Sequence, residues 1–390
     1  MKLRTTLALI LVTGWSSFGR AEEDSTVTAR DSRRGDVVER LARTIEPDLA
    51  GRPERLPQYV NFFRSEIGND FRLFAFDVKA VPNGRGQVEL RGHIEFPETR
   101  EALAKYLGIL GFVVEDRLVT LPAVELGDEI FGFVKVSHSL SYDRPRGRRT
   151  VETDCLLGEP LYLLREMNGH LLVHSGEGYL AYVRAADVLR VDASAFSRYM
   201  EGPSVRMVSD HEVAGGLVVP TGARLKWIGT DGETVNAELP TGEAVAVPAV
   251  ACEVREEPMA ELNSIIENGK QLLGTPYLWG GRTSQGVDCS GLVQISYATA
   301  GLHLPRDSYQ QFYVGKLTAT RWHTAGLRRG DTLYFLGHDG KIRHTGLYLG
   351  DDRFLHAVSP VVRINSFNPQ HAEYDARRHA SFAFAKRLLD

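Results

Sequence analysis

The sequence predicts an α+β protein made of several units in a row, on three observations. Its 390 residues exceed what one hydrophobic core serves well, and roughly one domain per 100–200 residues gives two to four units. Short apolar runs of strand period recur between turn residues from 127 to 255, whereas 58–122 mixes helical and strand periods. A helical pattern over 259–273 then opens a last stretch of turns and further strands. The expected order is a small α+β module, two small β-barrels and a C-terminal α+β domain.

The hydrophobic share of 43% and charged share of 25% are those of an ordinary globular chain. A formal net charge of −4 argues against a nucleic-acid partner held by counterion release.

At the N-terminus, Lys2 and Arg4 precede an apolar run from Leu7 to Val12 and on to Trp15, and small residues then lead to Ala21 before Glu22 and Glu23. That order predicts a secretory signal peptide over 1–21. The run is too short to span a bilayer and no Cys follows it to accept a lipid. An exported protein, periplasmic or extracellular and without a stable membrane anchor, is therefore expected. Thiols oxidise in such compartments, so an odd count of three cysteines draws attention to the one left over. Cys155 and Cys252 are either disulfide partners or two small buried hydrophobes. Cys289 lies in a different kind of sequence.

Residues 25–35 are polar and read as a linker, and Asp36 is placed to cap a helix from Val37 to Thr44. Tyr59, Phe62, Phe63 and Ile67 have helical spacing; Val88, Leu90 and His93–Phe96 read as strand; Thr99 opens a helix through Leu103, Tyr106 and Leu107 to Gly111. Residues 22–125 thus form the first module. Its Val88–Ile94 segment, the helix and Gly111–Asp116 resemble a BON domain, a small bacterial envelope module; a generic α/β spacer is the alternative.

Residues 126–192 carry short strands at Phe131–Val136, Leu161–Leu164, Leu171–His174 and Tyr179–Val183, spaced as in a small barrel. Cys155–Pro160 followed by Glu177–Val183 resembles a bacterial Src-homology barrel, with Glu, Ala and Tyr where Asp, Gly and Trp are usual. Residues 193–257, with strands at Gly216–Val219, Leu225–Ile228 and Ala244–Val247, read as a second, divergent barrel.

The last domain, 258–390, holds the chemistry. Gly274-Thr275-Pro276-Tyr277-Leu278-Trp279-Gly280-Gly281 leads into Asp288-Cys289-Ser290-Gly291-Leu292-Val293-Gln294. Leu304-Pro305-Arg306, Gly330–Phe335, His344–Gly350 and Phe354–Ala357 follow. Asp288 caps a helix that ends at Gly301, which puts Cys289 in the first turn, where backbone N–H groups and the helix dipole favour a thiolate. His344 begins a strand and His356 ends the next, so adjacent strands bring the two rings together. A Cys-His-His zinc site lacks an evident fourth ligand, so no metal and no other cofactor is expected.

In order and spacing these motifs resemble the NlpC-type papain-like peptidases of the bacterial cell wall. The resemblance implies Cys289 as nucleophile, His344 as base and His356 as the residue that orients it. It also implies substrate contacts at Tyr277, which assists the oxyanion, and at Trp279, Asp288, Ser290 and Tyr179. The bland readings are core packing for Tyr277, Trp279 and Tyr179, helix capping for Asp288 and first-turn hydrogen bonding for Ser290. The implied reaction is hydrolysis of the γ-D-glutamyl to L-diamino-acid bond of peptidoglycan stem peptides, those with a free N-terminal L-Ala in particular. An amidase at the sugar to L-alanine link and a non-catalytic wall-binding protein are the alternatives. No oligomeric state is implied.

Overall fold

The computed structural model of the chain describes residues 37–68, 70–84, 86–255 and 262–389. The expected leader, the linker and the Asp36 cap lie outside them. Among the described residues no helix is long and apolar enough to cross a membrane. They divide into two compact units.

The first unit comprises the described residues up to Ile67 with Val78–Gly92 and Glu98–Leu118. Helices Val37–Ile45, Leu56–Ile67 and Pro97–Ile109 accompany a three-stranded sheet in the order Phe76–Pro82, Gln87–Ile94, Val113–Thr120. Helical spacing buries Tyr59, Val60 and Phe63 on one side of their helix, and Phe63 meets Tyr106 with ring centroids 5.3 Å apart. The buried Glu46 carboxylate accepts from Tyr59 at 2.5 Å and pairs with Arg52 and Arg55.

The second unit, Gly68–Asp77, His93–Pro97 and the chain from Val119, contains three sheets of five or more strands. The first has seven strands in the order Val188–Val191, Phe131–Val134, Pro160–Met167, His170–His174, Leu180–Arg184, His138–Tyr142, Val151–Leu156. The second has five, from Ala244–Pro248 to Cys252–Arg255. Each runs in one line with free edges, so among the described residues the strand pairing does not close the two barrels expected from the sequence. Alternating apolar residues produce strands, but closure requires pairing between first and last, which no local pattern encodes. Cys155 and Cys252 are free buried thiols in separate cores, one under each sheet.

The C-terminal sheet has six antiparallel strands in the order Lys316–Thr320, Phe382–Arg387, Thr332–Leu336, Ile342–Gly350, Arg353–Val358, Val361–Ser366. Period-two alternation sends Leu347 and Leu355 to helices Leu262–Gln271 and Cys289–Ala298, where they pack with Ile265, Ile266 and Leu292. Tyr348 and Phe354 point the other way, into a cluster with Leu333, Phe335, Phe367 and Phe382. The sheet is thus buried on both faces, a rigid platform on which two strands carry the histidines.

Candidate active site

The nucleophile candidate sits where a short ribbon turns into a helix. Asp288 has extended backbone and accepts the Gly291 N–H at 2.7 Å, which caps the helix Cys289–Ala298 and contributes about 1 kcal/mol. The helix start is pressed against the preceding loop: a Cβ on Gly291 would stand 2.4 Å from the Gly281 carbonyl oxygen, so only glycine fits. Cys289 is 7% exposed. Burial pushes its thiol up to about 12, with the Asp288 charge adding, while the backbone amides of Thr345 and Ser290 and the Arg306 charge pull it down. The sequence led us to expect a depressed thiol pKa; here desolvation outweighs the helix end, and the resting group is a neutral thiol.

His344 is the third residue of Ile342–Gly350 and His356 the fourth of Arg353–Val358, inside their strands rather than at the ends. Leu347 faces Leu355, so His356 falls opposite Gly346, two residues from His344. His356 in turn faces Arg363, two residues from Asn365. Three adjacent strands therefore set out a diagonal chain. Asn365 Nδ2 donates to the Glu373 carbonyl at 2.9 Å, which fixes Oδ1 as the acceptor for His356 Nε2–H at 2.8 Å. With both rings neutral, His356 Nδ1 then accepts from His344 Nε2–H at 2.8 Å. This tautomer leaves His344 Nδ1 unprotonated, the form a base needs. Burial holds His356 at about 4 and His344 well below the usual imidazole value, with the Arg378 charge lowering both. Asn365 was not singled out in the sequence, since only the strand register aligns it.

A second group gathers around Asp288. Arg306 donates to its two oxygens at 3.0 and 2.7 Å, to Ser290 Oγ at 2.9 Å and to Thr153 Oγ1 at 3.0 Å. Gly280 N–H adds 2.8 Å and Ser290 Oγ 3.2 Å. With five donors and the Gly291 cap among them, Asp288 has no acceptor capacity left for a substrate. Tyr179 is buried and its hydroxyl donates to Asp307 Oδ2 at 2.9 Å, with Glu152 3.3 Å away. Arg72 reaches the same two carboxylates, at 2.7 Å to Glu152 and 3.5 Å to Asp307. Its segment is anchored by Leu180 N–H to the Arg72 carbonyl at 2.6 Å and by Tyr309 Oη to Asp70 at 2.5 Å. Burial raises the pKa of both Glu152 and Asp307.

Tyr277 and His344 both line a cleft of about 690 Å³. Burial first, then the nearby Cys289 and Asp288, pushes the Tyr277 hydroxyl upward, so it stays a proton donor at neutral pH. Trp279 is 56% exposed and donates from Nε1 to the Val151 carbonyl at 3.0 Å. The structure thus brings Tyr277 and His344 together at the cleft, and Asp288, Ser290 and Tyr179 into the Arg306–Asp307 region. Among the described residues no group of three or more His, Cys, Asp and Glu side chains is placed to hold a metal ion.

Comparison with known proteins covers the same region. A family described as "NlpC/P60 family" matches residues 274–380. The chain is 26% identical over 264 residues to "Dipeptidyl-peptidase 6" of Lysinibacillus sphaericus, covering 60% of this chain and 90% of that protein. It is 39% identical over 95 residues to "Gamma-D-glutamyl-L-lysine dipeptidyl-peptidase" of Bacillus subtilis strain 168, a match that spans 24% of this chain and less than a third, 31%, of that relative. A crystal structure of an NlpC/P60 family protein from Bacillus cereus ATCC 10987 shares the fold, with a TM-score of 0.59, 20% identity and coverage of 67% of this chain and all of that one. The C-terminal domain of this chain is therefore a cysteine peptidase domain of the NlpC/P60 family.

Proposed function

We propose that the protein hydrolyses the γ-D-glutamyl to L-diamino-acid bond of peptidoglycan stem peptides. The observation that carries this reading is the ordered run Glu373–Asn365–His356–His344, which presents an unprotonated Nδ1 beside the strand residue whose amide reaches Cys289. The relatives' names, a γ-D-glutamyl-L-lysine dipeptidyl-peptidase among them, support the bond.

In this mechanism the Cys289 proton passes to His344 Nδ1 as sulfur attacks the γ-carbonyl carbon. With burial raising the thiol, proton transfer to His344 accompanies the attack. The Cys289 N–H and the Tyr277 hydroxyl donate to the oxyanion. Collapse breaks the C–N bond, His344 returns the proton to the leaving amine, and water then hydrolyses the thioester by the reverse use of His344.

A preference for stems with a free N-terminal L-Ala rests on the acidic recess of Glu152, Asp307 and Tyr179, which already holds one cation, Arg72. Asp288 and Ser290 shape that recess through Arg306 rather than by touching an ammonium. The lysine- and arginine-bearing, then apolar, start of the chain supports action outside the cytoplasm. Mass spectrometry of L-Ala-γ-D-Glu-L-diamino-acid tripeptides, free or N-acetylated, incubated with wild type and Cys289→Ala tests both parts. Release of the diamino acid from the free peptide only, lost in the variant, is expected; equal cleavage of the acetylated peptide overturns the amine preference.

A further inference from the structure

The cleft that reaches His344 has a charge that the reaction does not require. Four arginines, Arg321, Arg343, Arg377 and Arg378, line it, and no Asp or Glu does. Arg343 is paired with Asp339 outside the cleft, at 3.0 and 2.6 Å, and Arg321 is oriented by one N–H bond to the Phe382 carbonyl at 2.9 Å. Arg377 and Arg378 stand side by side on the helix Ala376–Ser381, with the N-cap Asp375 near Arg378. Arg377 is exposed; Arg378 is half-buried, with its guanidinium 5.8 Å from the Phe335 ring centre. Arg378 stands near Cys289 and Tyr277, and both arginines lower the pKa of His344. Like charges in a concave, partly dry site repel each other and concentrate anions.

Chemistry says which half of the substrate enters. His344 must lie within hydrogen-bond reach of the amine it protonates, so the leaving diamino acid occupies the His344 side, and the acyl half the Asp307 side. None of Asp288, Ser290, Tyr179 or Asp307 lines this cleft. Resting on the function proposed above, we infer that the cleft receives the leaving diamino acid and that Arg377 and Arg378 select one whose side chain ends in a carboxylate. Meso-diaminopimelate and L-lysine present the same α-carboxylate and the same distal ammonium. They differ by the distal carboxylate alone, which two guanidiniums bind and an ammonium-only side chain leaves unpaired.

The test compares L-Ala-γ-D-Glu-meso-diaminopimelate with L-Ala-γ-D-Glu-L-lysine. Wild type is expected to favour the first by roughly tenfold or more in kcat/KM, about the worth of one charge-assisted contact. Arg377→Ala/Arg378→Ala should bring the ratio close to one, and Arg377→Lys/Arg378→Lys should restore part of it. Equal kcat/KM for the two peptides in wild type, or an unchanged ratio in the alanine variant, overturns the inference while leaving the proposed bond intact. If neither peptide is cut, the proposed function falls instead. Calorimetry of Cys289→Ala with free meso-diaminopimelate and free L-lysine then decides the inference: tighter binding of the first, lost with the arginines, sustains it, and equal binding overturns it.

Discussion

Arg306 grips Asp288 with two parallel hydrogen bonds, at 3.0 and 2.7 Å, where the two side chains are 1% and 7% exposed. The pair couples the N-cap of the helix that begins at Cys289 to the loop that carries Asp307. Removing one partner strands a buried charge. Arg306→Ala and Asp288→Asn are therefore each expected to lose about 3–5 kcal/mol in chemical denaturation, since either leaves the other's charge buried without its counter-ion, although the Asn amide oxygen can still cap the helix. A fully stable Arg306→Ala protein would mean that Asp288 finds its compensation elsewhere.

Losses along the histidine chain should fall off with distance from the sulfur. His344→Ala removes the proton carrier and should lower kcat by roughly a hundredfold or more. His356→Ala and Asn365→Ala should cost successively less, with KM nearly unchanged, since both act through ring orientation. Equal, small losses at His344 and His356 would assign the base to another group.

Thiol chemistry provides a separate reading. A Cys289 pKa pushed up to about 12 keeps the resting group protonated at neutral pH. Inactivation by iodoacetamide should accelerate nearly tenfold per pH unit from 7 to 10, in proportion to the thiolate fraction. A rate already flat above pH 6 would indicate a preformed thiolate–imidazolium pair.

Stability should respond to acid with a defined sign. His356 is held at about 4 and His344 also well below 6.5, so between those values the unfolded chain binds more protons than the folded one. Stability is then fully present above about pH 6.5 and lost as pH falls toward 4, with a slope of at most about 1.4 kcal/mol per unit for each ring. Urea titrations at pH 7, 5.5 and 4.5 check it, and His356→Gln should flatten the slope.

What could be read from the sequence follows from how local each signal is. The cap, Cys289 and the helix occupy consecutive positions, so Asp288-Cys289 and the apolar run after it announced their element. The two histidines were legible as strand residues, but their diagonal contact and the Asn365 extension depend on register between three strands. Arg306 was visible only as part of a motif; its target lies 18 residues away across a loop. The acidic recess draws Glu152, Tyr179 and Asp307 from three distant segments, and charge alone does not announce such a meeting. Strand alternation in 126–257 showed the presence of sheets without saying whether they close.

The Arg72 side chain, 80 residues from Glu152 in the chain, gives the acidic recess a resident. On the amine preference proposed above, an incoming ammonium takes part in an exchange with a tethered rival whose local concentration is fixed by the fold and independent of dilution. Every measured affinity for that recess is then a difference between two cations, scaled by the fraction of molecules in which the rival has swung aside. Such an arrangement sets a threshold: ligands that bring only a charge compete at a disadvantage. Those that bring a charge together with a correctly placed backbone evict the resident and hold the ground.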